Sequence, residues 1–120
     1  MSTWSGAELR ARLWGLGLSI PAFTKLTGLD KRYVERVVTG RIGSVSDRIA
    51  AEVERLEAQA CTELARWEDA TEAGTPIYIP RLNTPQEGGG LPPHWYLALA
   101  ARHISMWGDD AQVEFSGPAE

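Results

Sequence analysis

The stretch LSIPAFTKLTGLDKRYVERVVTGR, residues 18–41, decides the fold of this chain. Ser19 followed by Pro21 is typical of a helix start, because a serine hydroxyl caps free amides and proline needs no donor in the first turn. Gly28 suits a turn with positive φ, and Asp30 is a good cap for a following helix. The pattern therefore predicts two short helices joined by a turn centred on Gly28.

The second of these helices has its charged residues on one side. Val34, together with Val37 or Val38, would attach this helix to the core. The residues then left on the outer face are Lys31, Arg32, Glu35 and Arg36. The major groove of DNA admits one α-helix, so a short helix with a cationic outer face indicates DNA binding.

The charge of the chain is divided unevenly along its 120 residues. The formal net charge is −4. Residues 1–45 carry seven basic and three acidic groups, a net +4, whereas residues 46–120 carry five basic and thirteen acidic groups, a net −8. Because salt screens charges beyond about 8–10 Å, a basic amino-terminal region can bind phosphate despite an acidic remainder.

Composition also bounds the class of protein and its compartment. A hydrophobic content of 43% with five Trp indicates a folded globular chain. No run of about 18 apolar residues is present, so we expect no membrane span. The first ten residues lack the apolar segment of a secretory signal, and Cys61 is the only cysteine, which together favour a cytoplasmic location.

Two further helices are predicted on either side of residues 18–41. The first runs over about residues 6–16 and is capped by Ser5. The second is much longer, about residues 47–73, and is capped by Ser44 or Ser46. Its apolar residues repeat every three or four positions, which suits either a scaffold helix packed on its own chain or a helix that leads into a dimer interface.

The remaining sequence predicts a small strand-and-helix unit. Residues 76–82 indicate a short edge strand between two prolines, and residues 111–115 a second strand that pairs with it. The last helix, about residues 94–107, is apolar on nearly every side, which suggests burial against a partner subunit. The residues assigned to that dimer interface are Trp95, Leu99, His103 and Trp107.

The predicted fold is therefore mainly α with a minor β element. It divides into a helix-turn-helix DNA-binding region (residues 1–45), a long connecting helix (46–74) and a carboxy-terminal strand-plus-helix dimerisation region (75–120). His94 and His103 lie nine residues apart with one cysteine in the chain, so no metal site is expected. No cofactor is implied, and no group of residues supports enzymatic chemistry.

Residues 18–41 resemble the helix-turn-helix of the phage-repressor class known as the Xre or Cro/C1 type. The matching positions are Leu18-Ser19, Phe23-Thr24, Gly28-Leu29-Asp30, Val34 and Gly40-Arg41. The resemblance implies that Lys31, Arg32 and Arg36 read bases. It also implies that the phosphate backbone is held by Ser19, Lys31, Thr39 and Arg41. Glu35 would either accept from a cytosine amino group or orient an arginine, and the second role is favoured.

The sequence departs from the family pattern at positions that bear on DNA binding. Ile20 stands where the family often has a phosphate-gripping Gln. Val38 stands where a Glu often pairs with the arginine of the first helix, which would free Arg12 for DNA. The layout after residue 45 is similar to a group of phage and plasmid regulators that includes anti-CRISPR-associated repressors with a carboxy-terminal dimerisation unit.

These observations predict a sequence-specific repressor that binds an inverted-repeat operator as a homodimer and regulates its own gene. The expected partners are double-stranded DNA and a second copy of the chain. An alternative is an antitoxin-like protein whose carboxy-terminal unit binds another protein. A third hypothesis is a module that uses the same fold only to contact other proteins.

Overall fold

The computed structural model describes residues 3–41, 43–84 and 90–116. Within them the chain forms five α-helices, one 3₁₀ turn and two short strands, which confirms the mainly α fold with a minor β element. In chain order the elements are α1 (Gly6–Gly15), α2 (Ile20–Thr27), α3 (Lys31–Val38), α4 (Asp47–Glu72), β1 (Ile77–Ile79), α5 (Pro93–Trp107), the 3₁₀ turn (Gly108–Asp110) and β2 (Val113–Phe115).

Side-chain caps define where four of these helices begin. The capping residues are Ser5, Ser19, Asp30 and Ser46. Each accepts a hydrogen bond of 2.9–3.2 Å from an amide in the first turn of its helix. Of the two candidates for α4, the cap is therefore Ser46 and not Ser44. Gly28 ends α2 with φ 73°, a left-handed conformation that glycine adopts without steric cost.

The amino-terminal helices pack so that α1 lies directly behind α3. Val34 and Val37 of α3 are fully buried beside Leu9 and Leu13 of α1 in the same core. At Gly6 the two backbones are so close that a Cβ atom would overlap the carbonyl oxygen of Val37. The absence of a side chain at Gly6 is therefore a condition of this packing.

The long helix α4 is buried along one stripe by its own chain. Its buried residues extend from Ile49 near the start to Trp67 near the end, and all of them belong to the core cluster that also includes α1, α3 and α5. The scaffold interpretation of this helix is confirmed. The three sequence regions share one core.

The carboxy-terminal region has β-α-β connectivity. β1 and β2 pair in parallel, with Ile77 opposite Val113 and Ile79 opposite Phe115. Parallel neighbours cannot be joined by a tight hairpin, so α5 provides the crossover between them. The second predicted strand and its pairing with the first are confirmed.

The predicted dimer-interface residues of α5 are placed differently from what the sequence suggested. Trp95, Leu99 and His103 are only 1%, 2% and 1% exposed within a single chain. Trp107 is partly buried, with its ring 6.1 Å from that of His103. The assignment of the first three to a subunit interface was wrong, because α4 and β1 of the same chain already pack against that side of α5.

No helix in the described part of the chain combines the length and the apolar content that crossing a bilayer requires.

Candidate nucleic-acid interface

The outer face of α3 is held rigidly by its inner face. Val34 and Val37 are both fully buried, so the rotation of the helix about its axis is determined by core packing. With about 3.6 residues per turn, Arg32 and Arg36 then lie one turn apart in the middle of the opposite face. Both residues are exposed. The structure thus presents two guanidinium groups side by side on a fixed support.

Five of the predicted contact residues surround one shallow depression of about 350 Å³. They are Arg32, Glu35, Arg36, Thr39 and Arg41. Arg41 joins this group because the chain turns back after α3, where its amide donates to the carbonyl oxygen of Arg36 at 2.9 Å. The fold therefore assembles the basic surface from α3 and the residues that immediately follow it.

Glu35 is paired differently from the favoured prediction. Its Oε1 lies 3.8 Å from Nζ of Lys31, one helical turn earlier, and both side chains are about half exposed. The role of Glu35 in orienting an arginine on DNA stays a prediction. A pair this exposed contributes little to stability, so Lys31 can exchange Glu35 for phosphate at small cost.

The predicted phosphate contacts differ in how available their donors are. The Ser19 hydroxyl accepts from the Ala22 amide at 3.2 Å, and its own proton remains able to reach an external oxygen. The Thr39 hydroxyl instead donates to the carbonyl oxygens of Glu35 (3.0 Å) and Arg36 (3.2 Å). Thr39 would have to give up these internal hydrogen bonds to donate to phosphate. Ser19 does not line the depression beside α3.

The position that carries Ile20 belongs to the core of this protein. Ile20 is 9% exposed, so its side chain packs inward and leaves phosphate contact at this end of α2 to Ser19. Thr24, also buried, donates its hydroxyl proton to the carbonyl oxygens of Ile20 (3.0 Å) and Pro21 (3.1 Å). Ile20 is therefore buried, and the hydroxyl group of Thr24 has its hydrogen-bond partners within α2.

Arg12 is engaged within the protein, and the expectation that it is free for DNA was wrong. Its Nε donates to Glu8 at 3.0 Å and its Nη1 to Glu57 of α4 at 2.8 Å. The guanidinium also stacks over the ring of Trp4, 3.8 Å from the centroid. Glu57 thus supplies the carboxylate that Val38 lacks, from a helix that is distant in sequence.

One exposed residue of α3 was missed by the sequence analysis. Tyr33 is 36% exposed and directly follows Arg32, at the edge of the outer face. Its phenol can donate to a phosphate or a base edge. The available signal was its position outside the Val34 and Val37 stripe, but aromatic residues on short helices usually indicate core.

Metal chemistry finds no support among the described residues. No group of three or more His, Cys, Asp or Glu side chains there is arranged to hold an ion. His94 is exposed at the start of α5, whereas His103 is buried, so the two imidazoles do not share a surface.

No protein-family model matches this chain, and neither a curated protein nor a solved structure is significantly similar to it. The resemblance to phage repressors therefore rests on the residues quoted above.

Proposed function

We propose that this chain is a sequence-specific, DNA-binding transcriptional repressor. The observation that carries the proposal is the pair Arg32 and Arg36, exposed one turn apart on a helix whose opposite face is fully buried. A guanidinium presents donors in a planar fork that matches O6 and N7 of guanine, which is the commonest specific contact in the major groove.

The dimensions of α3 suit this role. Eight residues make a helix about 12 Å long, short enough to enter the major groove with its first turns against the bases. Arg41 and Ser19 lie outside the helix and are available to phosphates, which would set the depth and register of the helix. Lys31 would serve either a base or a phosphate once separated from Glu35.

The distribution of charge supports the same proposal. The amino-terminal 45 residues carry a net +4 and the remaining residues a net −8. Association with DNA would be directed by the basic region, while the acidic remainder would be repelled from the phosphates. This asymmetry orients the molecule with α3 toward the duplex.

The repressor would act in the cytoplasm as a homodimer on an inverted repeat. A two-fold axis would present the two α3 helices about 34–36 Å apart, in successive major grooves. Occupancy of such an operator would block polymerase, and autoregulation is the expected outcome when the operator lies upstream of the protein's own gene. No cofactor is required for this mechanism.

The decisive experiment separates base reading from general attraction to DNA. A binding site is selected from random duplexes with the wild-type protein, and affinity is then measured by fluorescence anisotropy for Arg32→Ala, Arg36→Ala and the matched control Arg102→Ala, an exposed arginine on α5. Each lost guanine contact should cost roughly 1–3 kcal/mol, or about 5- to 150-fold in affinity, with relaxed preference at one base pair. The control should bind as the wild type does.

Two results would contradict the proposal. The first is a selection that yields no enriched sequence. The second is that both α3 variants bind the selected site as tightly as Arg102→Ala does. Affinity for DNA should also fall steeply with added salt, because phosphate neutralisation releases counterions. A protein that uses this surface only for protein contacts would lack the base preference.

A further inference from the structure

A groove of about 700 Å³ lies between the amino-terminal helices and α5, and none of its lining residues also lines the depression beside α3. Its walls come from the end of α1, the loop into α2, and the first turns of α5, segments about 80 residues apart in sequence. At Gly17, where φ is 68°, a Cβ atom would overlap the carbonyl oxygen of His94. The loop therefore lies directly on the start of α5, which holds the walls of the groove together.

The side chains that form this groove are mostly apolar. Trp14 stands at one wall with 79% of its surface exposed, the largest exposed aromatic fraction among the described residues. Leu97, Ala98 and Ala101 of α5 form the opposite wall. Contact of apolar surface with water is unfavourable, so a ligand or partner that covers the Trp14 indole would gain free energy from its burial.

Arg10 is the one arginine or lysine among the described residues that line the groove. Ser19 and His94 line it as well, and none of the described lining residues is Asp or Glu. This is notable in a chain with a net charge of −4, where acidic groups outnumber basic ones. A carboxylate or sulfonate would meet a guanidinium there and no opposing carboxylate from the lining.

We propose that this groove binds a small organic anion with an aromatic or branched hydrocarbon body. The hydrocarbon would pack between Trp14 and Leu97, and the anionic head would pair with Arg10. The volume lies within the roughly 300–1,000 Å³ of small-molecule sites, and apolar walls with a few polar groups are typical of them.

Ser19 connects the groove to DNA binding, and this step rests on the proposed function. Ser19 lines the groove and is also the available phosphate donor at the start of α2. Because Ser19 is a lining residue, a ligand that fills the groove would contact it and compete with a DNA phosphate for its hydroxyl proton. The ligand would therefore lower affinity for the operator and act as an inducer.

Two dyes that differ only in charge test the site without DNA. 8-Anilinonaphthalene-1-sulfonate carries an anionic group, and N-phenyl-1-naphthylamine has the same aromatic frame without it. Fluorescence titration should show saturable binding of one sulfonate dye per chain. Its affinity should be about 1.4- to 5-fold higher than that of the neutral dye, which is the contribution of one exposed ion pair.

Matched variants locate the binding. Trp14→Ala removes an exposed side chain and should leave the fold intact. It is expected to lower the affinity of the protein for both dyes. Arg10→Ala should lower only the affinity for the anionic dye, to the value measured for the neutral dye. Arg102→Ala removes an exposed arginine outside the groove and should leave the affinity for both dyes unchanged.

Several outcomes would overturn the inference. Equal affinity of the two dyes would remove the anion specificity, and insensitivity to Trp14→Ala would place the dye elsewhere. Leu97→Glu should abolish dye binding without changing the molar mass in solution. If it instead converts a dimer to a monomer, a second copy of the chain occupies the groove.

A final titration separates this inference from the proposed function. The anionic dye is added to wild-type protein bound to its selected duplex, and release of DNA is followed by anisotropy. If the protein binds the dye but selects no duplex, the proposed repressor function is refuted and the proposed anion site is supported. Dye binding that leaves operator affinity unchanged refutes the role as an inducer site.

Discussion

His103 places an imidazole in the packing between α4 and α5, where its protonated form is disfavoured. The ring is 1% exposed, its Nε2 lies 2.8 Å from Oγ1 of Thr71, and the ring of Trp67 meets it edge-on at 5.9 Å. Burial lowers the pKa of His103 below its usual 6.5, and the nearby Glu68 carboxylate opposes this shift only in part.

This pKa shift predicts a loss of stability at acidic pH. Above pH 6.5 the ring is neutral in both states and contributes no pH dependence. As pH falls below 6.5, the unfolded chain takes up a proton that the folded chain resists, so the free energy of unfolding decreases until the lowered pKa is reached. Urea unfolding at pH 7 and pH 5 measures the difference.

Variants assign that pH dependence to one side chain. His103→Gln should show a smaller change in unfolding free energy between pH 7 and pH 5 than the wild type does. His94→Gln removes the exposed histidine of the same helix and should retain the wild-type change. An identical pH response in His103→Gln and the wild type would refute the assignment.

At the scale of elements, the approach of α1 to α3 positions the basic surface. Gly6 allows the first turn of α1 to touch the backbone of Val37, and the same valine fixes the rotation of α3. Arg12 then ties α1 to α4 through Glu57. Support for Arg32 and Arg36 therefore comes from helices that take no part in the proposed DNA contact.

Two glycines of α1 give a matched test of this packing. Gly6→Ala should destabilise the protein by about 1–3 kcal/mol, because the methyl group meets the Val37 carbonyl and the backbones must separate. A methyl group at Gly15, the last residue of the same helix, meets nothing within 4 Å. Gly15→Ala should therefore be neutral or slightly stabilising.

Thermal unfolding followed by circular dichroism measures both glycine variants. A fall of several degrees in Tm is expected for Gly6→Ala and none for Gly15→Ala. If the two variants have the same Tm, the close approach of α1 and α3 is not a determinant of stability.

At the scale of the whole molecule, the shared core determines which apolar side chains of α5 remain for a subunit contact. The buried side of α5 is already occupied, so a homodimer would use side chains that the fold leaves outside. On α5 these include Ile104 at 46% exposure and Met106 at 66%. We therefore propose that a homodimer uses these exposed residues of α5 and not its buried face.

Light scattering tests that interface. The wild type is expected to be a dimer, and Ile104→Glu should shift it toward monomer because a carboxylate would be buried without a partner. Gln59→Glu adds the same charge at an exposed position of α4 and should remain dimeric. A monomeric wild type would refute the homodimer and favour the alternative of a carboxy-terminal unit that binds another protein.

Sequence alone was sufficient for the features that depend on neighbours along the chain. The caps Ser5, Ser19 and Asp30 and the Gly28 turn follow from local hydrogen bonding and backbone sterics, and all are present. The exposed basic side of α3 follows from the spacing of Val34 and a second valine, which the sequence left open between Val37 and Val38 and the structure shows to be Val37.

Only the tertiary structure decided which surfaces face each other. The α5 sequence is apolar on nearly every side of the helix, so its periodicity does not show which side is buried. The burial of Trp95 within its own chain could therefore not be predicted from the sequence. The partner of Arg12 and the groove beside Trp14 join residues 45 to about 80 positions apart. Such contacts depend on how helices pack in three dimensions, and local spacing does not encode them.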